Sequence, residues 1–421
     1  MAKSSEEIII IGAGAAGLIA ARELSGLYKI TILEARNTTG GRINTIYRDG
    51  IKEAETGAEF VHGELPITLG LLQEAGLRYQ QVSGQMFRVN NRQWVAQHEM
   101  IPNWDELLEQ MEKSPADMTM QDFLDQHYPY EQHPDLRKNI QGFVQGFDLA
   151  DIAKVSVKYL YNEWTNEDEK NFRIDKGYTA MTDFLAGECR KQQCNIITNT
   201  TVTAVEWSAG KVQVQTAGGA SFSADKLIVT IPLGALQKNT ISFSPAIPDY
   251  IKAANDIGWG TIIKTILHFK TPFWEKHTKQ MAFLLGETPI PTWWTQSPSR
   301  VNILTGWLGG PPSVAYITLS NEQLLELSIS SLATLCNETV ETLKEQLVSS
   351  HIANWSADPH FAGGYSYGTP ASVTAQALLN AGIENTLYFA GEALYDGTSP
   401  GTVEAALSTG IAVAAKIRGR Q

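Results

Sequence analysis

Three glycines and one acid define the first chemistry in this chain. In "GAGAAG", Gly12, Gly14 and Gly17 follow the apolar run "IIII" and open the helix-like stretch "AAGLIAAREL", with Ala16 inside the turn. In that spacing the first glycine permits a tight turn, the second lets a pyrophosphate approach the backbone, and the third lets helix and strand pack closely. The helix start adds unpaired N–H groups and a positive dipole end for the phosphates. Glu34 closes the next apolar run, "KITILE", where a carboxylate can accept from a ribose 2′-hydroxyl and disfavours a 2′-phosphate. A dinucleotide is expected, NAD or FAD on these residues alone. The second piece of chemistry is Lys264, in the middle of "GTIIKTILHF". Alternation along a strand puts it on one face with Ile262, Ile266 and His268. A buried, unpaired ammonium is too costly to keep, so the lysine either reaches water at a sheet edge or has a polar task.

Positioning these groups requires particular elements. Strand, helix and strand within residues 7 to 34 predict a right-handed crossover on a parallel, buried sheet. Residues 104 to 195 read as helical and polar-rich. "TVTAVEW", "KVQVQT" and "KLIVTIP" between 196 and 232 read as strands. Residues 243 to 355 mix strands with a helix expected near 321 to 349, and include the pair Trp293 and Trp294. The end of the chain returns to the first style, with the strand "NTLYFAGE" and the helix "TVEAALSTGIAVAAKI". In that helix Val403, Ala406, Leu407, Gly410, Ile411 and Ala414 form one apolar face.

At 421 residues and 43% hydrophobic content the chain can fill two cores. Thirty-three basic against 45 acidic residues give a formal charge of −12, and no Lys/Arg cluster interleaves with aromatics, so nucleic acid is not an expected partner. Cys189, Cys194 and Cys336 form neither a disulfide framework nor metal-ligand spacing, and no metal is expected. No apolar run reaches the roughly 18 residues of a membrane span, and "MAKSSEE" lacks the parts of a signal peptide. A soluble, cytoplasmic protein without a C-terminal membrane anchor is the expectation; its oligomeric state is left open.

The continuation "EARNTTGGRI" resembles the extended dinucleotide signature of the flavin-containing amine oxidase family, which includes monoamine and polyamine oxidases. That resemblance implies FAD, with Gly41 and Arg42 turned toward its pyrophosphate and Arg36 nearby. Four further segments carry it. "ETGAEFVHG" resembles the stretch that lays Gly57 and Ala58 along the flavin, followed by Glu59, and it puts His62 at a position lining the substrate cavity. "GTIIKTILHFKTPFW" is similar to the strand carrying the family's active-site lysine, here Lys264, which holds a water against flavin N5. "NWSADPHFAGGYSYG" resembles the segment supplying a tryptophan beside the flavin, Trp355, and one wall of an aromatic cage, Tyr365. "YFAGEALYDGTSPGTVEAAL" resembles the C-terminal flavin signature, bringing Gly391, Glu392 and the helix start Thr402–Val403 to the cofactor; Val202 joins them.

Departures from the pattern refine the expectation. Gly364 stands where mitochondrial monoamine oxidases carry the flavin-bonding cysteine, implying noncovalent FAD. Thr402 replaces the second cage aromatic. No arginine follows Gly57 to take a substrate carboxylate; Glu59 is there instead, which suits a cationic amine, and Glu59, His62 and Thr402 join Tyr365 as expected substrate contacts.

The expected fold is α/β. An FAD-binding, Rossmann-like domain is assembled from residues 1–80, 196–242 and 356–421, and a mixed α+β substrate domain from 81–195 and 243–355. The expected activity is FAD-dependent oxidation of a small amine, with dioxygen as acceptor, an imine hydrolysed to aldehyde or ketone, and hydrogen peroxide released. A flavin dehydrogenase or desaturase with another acceptor, and a non-catalytic FAD-containing scaffold, remain as alternatives.

Overall fold

The structure, a computed structural model, describes residues 5–48, 51–166, 168 and 170–419. The run "IIII" explains the central layer. Ile8 and Ile10 face one hydrophobic core while Ile9 and Ile11 face another, all four nearly fully buried, as a strand covered on both sides requires. Strand Glu7–Ile11 lies at the centre of a five-stranded parallel sheet. The sheet order is Asn195–Ile197, Lys29–Leu33, Glu7–Ile11, Lys226–Val229, Leu387–Phe389. Helices Ala15–Ser25, Thr179–Lys191 and Val403–Ile417 cover one face. The other face carries helices Pro248–Asp256 and Ser372–Ala381 and a four-stranded sheet made of Val202–Ser208, Lys211–Thr216, Ser221–Ala224 and Ser242–Ser244.

The second body is a seven-stranded sheet, ordered Leu347–Ala353, Ile262–Phe269, Ile303–Gly309, Thr292–Thr295, Met281–Leu285, Gln85–Asn90, Gln93–Ala96. Helix Asn321–Cys336 backs it. The alternation in "IIKTILHF" sorts its side chains: Ile263, Leu267 and Phe269 enter the core under that helix, whereas Ile262 and Ile266 pack on the opposite face, against residues of the dinucleotide side. Four helices, Trp104–Glu112, Met120–His127, Pro134–Gly146 and Val157–Asn166, form a separate lobe with its own core.

Packing redraws three expectations. The stretch 104 to 195 is not helical throughout, because Asn171–Ile174 is a strand between Val61–His62 and Tyr79–Gln81. Ile174, Tyr178, Met181, Leu185 and Cys189 pack into the dinucleotide core, and so do Ala253, Ala254 and Ile257. Both expected substrate segments therefore contribute to the first domain at one end. The helix expected near 321 to 349 is two helices, Asn321–Cys336 and Val340–Gln346, followed directly by the strand Leu347–Ala353. Asn337 in the left-handed region ends the first helix, and the Thr339 side chain caps the second.

Candidate active site

The glycine turn has the geometry of a cradle. Gly12 has φ +106°, a conformation that disfavours side chains, and a Cβ on Gly17 would stand 2.1 Å from the Gly12 carbonyl oxygen. Gly14 differs: it precedes the helix Ala15–Ser25, and nothing lies within 4 Å of where its Cβ would be. The turn therefore closes on itself at two glycines and is open at the middle one. Glu34 is buried; Oε2 accepts from the Ala13 N–H at 2.7 Å and Oε1 from the Arg36 N–H at 2.8 Å. A carboxylate with about four acceptor sites keeps capacity for ligand hydroxyls.

A cavity of about 1230 Å³ runs from this cradle into the space between the two domains and the helical lobe. Gly12, Gly14, Ala16, Glu34, Gly41, Arg42, Gly57, Ala58, Glu59 and Val202 line it, as do Trp355, Gly391, Glu392, Thr402 and Val403. Arg42 donates to the Gly364 carbonyl at 2.7 Å and to Glu392 Oε1 at 2.9 Å, and Glu392 Oε2 accepts from the Ser366 hydroxyl at 2.7 Å. At the far wall Thr402 caps the helix Val403–Ile417, accepting from the Ala405 N–H. A second helix N-terminus therefore points its dipole at the cavity. Gly391 has φ +154° and open space where a Cβ would stand. Two expected cofactor residues stand off the lining. Gly17 acts in helix–strand packing, and Arg36 lies over the Trp355 and Phe361 rings, 5.8 and 5.5 Å from their centroids, donating to the Gly41 carbonyl.

Lys264 is 1% exposed and lies in a central strand, paired on both sides, so no edge is available to it. Its ammonium donates to the Gly57 carbonyl at 3.0 Å and to Glu59 Oε2 at 2.5 Å, and it lines the cavity. Glu59 Oε1 accepts from Arg173 Nη1 and, at 2.9 Å, from Trp294 Nε1. Burial pushes the Glu59 carboxyl up, but Arg173 and Lys264 outweigh it and hold the group down at about 2. For Lys264, burial outweighs the Glu59 charge, and its pKa lies below the ordinary lysine value. The carboxyl of Glu55, at the end of the preceding strand, is pushed up to about 7 by burial, against donation from the Tyr178 N–H.

Aromatic rings enclose the rest of the cavity: Phe60, Phe143, Phe147, Trp294, Trp307, Trp355 and Tyr365. Trp355 Nε1 donates to the Thr56 carbonyl at 2.6 Å, fixing the indole beside Gly57. Tyr365 donates to the Phe147 carbonyl and faces Trp307 at 6.4 Å. His62 sits between the edges of Phe60 and Phe147; burial lowers its pKa, against a hydrogen bond with Asn171. The cavity thus gathers Lys264, Trp355, Tyr365, His62, Glu59 and Thr402.

Sequence reasoning missed Arg173, Trp307 and Phe147. Arg173 lies 91 positions from Lys264 in a four-residue strand with no pattern to mark it. Trp307 could have been found once "VNILTGWL" was paired with the lysine strand, since it is the register partner of Lys264.

These residues fit FAD. The open face of Gly14, the two helix starts and Glu34 suit the dinucleotide, and Lys264 lines the same cavity. None of the three cysteines lines the cavity, so no thiol there can bond the flavin. The fold and site define a two-domain, nucleotide-dependent redox enzyme whose cavity is lined by a buried lysine. A family model for flavin-containing amine oxidoreductases matches residues 15–418, and the chain belongs to that family. It is an FAD-dependent oxidoreductase acting on amines. Among similar proteins, polyamine oxidase 4 of Oryza sativa subsp. japonica is 29% identical over 99% of this chain and 89% of its own. Lysine-specific histone demethylase 2 of Homo sapiens is 27% identical over 98% of this chain, which spans 53% of that protein. A solved structure of wild-type putrescine oxidase bound to putrescine shares the fold, with a TM-score of 0.76 over the whole of both chains at 19% identity. Among the described residues no helix is long and apolar enough to cross a membrane, and no cluster of side chains could hold a metal ion.

Proposed function

We propose that the protein oxidises a small amine carrying a further positive charge, a di- or polyamine, with dioxygen as acceptor and hydrogen peroxide and an aldehyde or ketone as products. The observation that carries this reading is Lys264, buried and charge-paired, in the same cavity as the glycine cradle. FAD, when bound, supplies the hydride acceptor and the centre that dioxygen reoxidises. Gly12, Gly14, Glu34, Arg42, Gly391, Thr402 and Val403 hold it.

The chain's own groups prepare the amine. An aliphatic ammonium with pKa near ~10 must lose its proton before its α-carbon can give up hydride, and an aromatic, water-poor wall favours the neutral form. Phe147, Trp307 and Tyr365 form that wall. His62, kept neutral by burial, can take the proton. Burial pushes the Tyr365 phenol well above its ordinary value, so that group stays protonated and serves as a wall. Lys264 commits two N–H groups to Gly57 and Glu59 and keeps one for a water in the cavity.

Charge selects the substrate. The helical lobe and the segments flanking it line the cavity with Glu99, Asp105, Glu106, Glu163 and Asp168, and among the described residues between 98 and 171 no lysine or arginine does so. Arg173 is engaged by Glu59, Gln296 and the Thr295 carbonyl, and Arg42 by Glu392 and the Gly364 carbonyl, so both of these guanidiniums already have partners. The names of the similar polyamine and putrescine oxidases agree with such a substrate. Peroxide release from a panel of monoamines, diamines and triamines tests the reading. Diamines or triamines are expected to react best. Flavin bleaching without peroxide would point to another acceptor, and no bleaching by any amine would remove the assignment.

A further inference from the structure

Glu59 lies in the loop after strand Ile51–Glu55 and meets three other strands at one carboxylate. Lys264 reaches Oε2 from Ile262–Phe269; Arg173 and Trp294 reach Oε1 from Asn171–Ile174 and Thr292–Thr295. The side chain is 3% exposed. Arg173 is itself fixed, donating to the Thr295 carbonyl at 3.0 Å and Gln296 Oε1 at 3.1 Å, with its guanidinium 4.5 Å from the Phe60 centroid. The Trp294 ring stands 5.4 Å from the Lys264 ammonium. A carboxylate held by three donors in a water-poor place is a rigid anion, and a rigid anion fixes the direction of the cation paired with it. We propose that Glu59 is the positioning residue of Lys264: clamped by Arg173 and Trp294, it keeps the lysine charged and turns its remaining N–H toward the cavity, rather than contacting the substrate. This rests on the reading of Lys264 as the cation of the reaction centre.

The charged groups acting on Lys264 are Glu59 and Glu55 from the one segment and Arg173 from the other. Two cations face Glu59, so while Glu55 is protonated the group carries one excess positive charge, which suits a reaction that places negative charge nearby. The test is a titration of Lys264 in protein labelled with 13Cε-lysine, the resonance being assigned by its loss in Lys264→Met, alongside the pH profile of flavin reoxidation by dioxygen. In Glu59→Gln the Lys264 midpoint is expected to fall by about one pH unit or more. The alkaline limb of the reoxidation profile should move with it, and KM for the amine should change by less than about threefold. Trp294→Phe keeps the ring and removes only the N–H; it should move both midpoints in the same direction by less, and carries the test if Glu59→Gln does not fold. An unmoved Lys264 titration in both variants overturns the proposal, as does a large rise in KM with an unmoved profile, which would make Glu59 a substrate contact. A Lys264 midpoint that moves in a protein that oxidises no amine upholds the clamp and removes the assigned reaction.

Discussion

Adding one methyl group at Gly14 and at Gly17 should give opposite outcomes, although the two residues sit three positions apart in one turn. At Gly17 the new carbon would stand 2.1 Å from the Gly12 carbonyl oxygen and 2.9 Å from Thr230 Oγ1, so the helix Ala15–Ser25 must move off the central strand. Overpacking against backbone costs ~1–3 kcal/mol or more, and Gly17→Ala should destabilise the apoprotein by at least the middle of that range. At Gly14, φ is −78° and no atom lies within 4 Å of the added carbon. Gly14→Ala should leave the apoprotein as stable as the wild type or raise its stability by ~0.4–1 kcal/mol, since alanine has fewer unfolded conformations. The methyl group instead occupies space intended for a phosphate. The same ~1–3 kcal/mol of overpacking then falls on the ligand and weakens FAD about 5- to 150-fold. Urea unfolding of the apoprotein followed by tryptophan fluorescence gives the first quantity, and quenching of flavin fluorescence on titration gives the second. If Gly14→Ala binds FAD with wild-type affinity, or loses apoprotein stability as Gly17→Ala does, the cradle has been misplaced.

Three other outcomes follow from the same geometry. Lys264→Met should leave the protein yellow and folded, because Glu59 retains Arg173 and Trp294, while slowing flavin reduction, reoxidation or both by orders of magnitude; stopped-flow absorbance at wild-type rates would make the lysine structural. The Glu55 carboxyl is raised from 4.5 to about 7 in the fold, so its stabilising share is fully present below about pH 4.5 and lost as pH rises through 7. That shift corresponds to about 3 kcal/mol, and Glu55→Gln, which keeps an acceptor for the Tyr178 N–H, should flatten the urea-midpoint-against-pH curve between those values. An unchanged curve would assign the pH dependence elsewhere. Finally, Glu163→Gln should raise KM for a diamine about tenfold and leave a monoamine of similar length almost unaffected; equal effects on both would exclude a charge contact.

The dinucleotide half of the fold was legible because its signals are local. "IIII", the three glycines and Glu34 lie within 28 residues, and a strand buried on both faces must be apolar throughout. Lys264 was conspicuous for the converse reason, a charge in a run that otherwise alternates into two cores. Its partner could not be read in the same way: Glu59 is 205 positions away and Arg173 a further 114 from Glu59, and no periodicity links a loop acid to a guanidinium across two domains. Domain borders are equally non-local. Helix Thr179–Lys191 reads as polar and continuous with the helical lobe, yet Met181, Leu185 and Cys189 meet the first helix of the dinucleotide domain. The resemblance implied Arg36 near the pyrophosphate; the Trp355 and Phe361 rings that its guanidinium lies over come from 319 or more positions away. Such contacts depend on tertiary packing, which local sequence does not encode.

The central claim is that an amine and a bound flavin meet beside Lys264. Anaerobic mixing of the FAD-loaded protein with a diamine, followed by admission of air, tests it most directly. The flavin absorption band is expected to bleach and then return with one equivalent of peroxide. A protein that cannot take up FAD, or one whose yellow band no amine bleaches, would contradict the account.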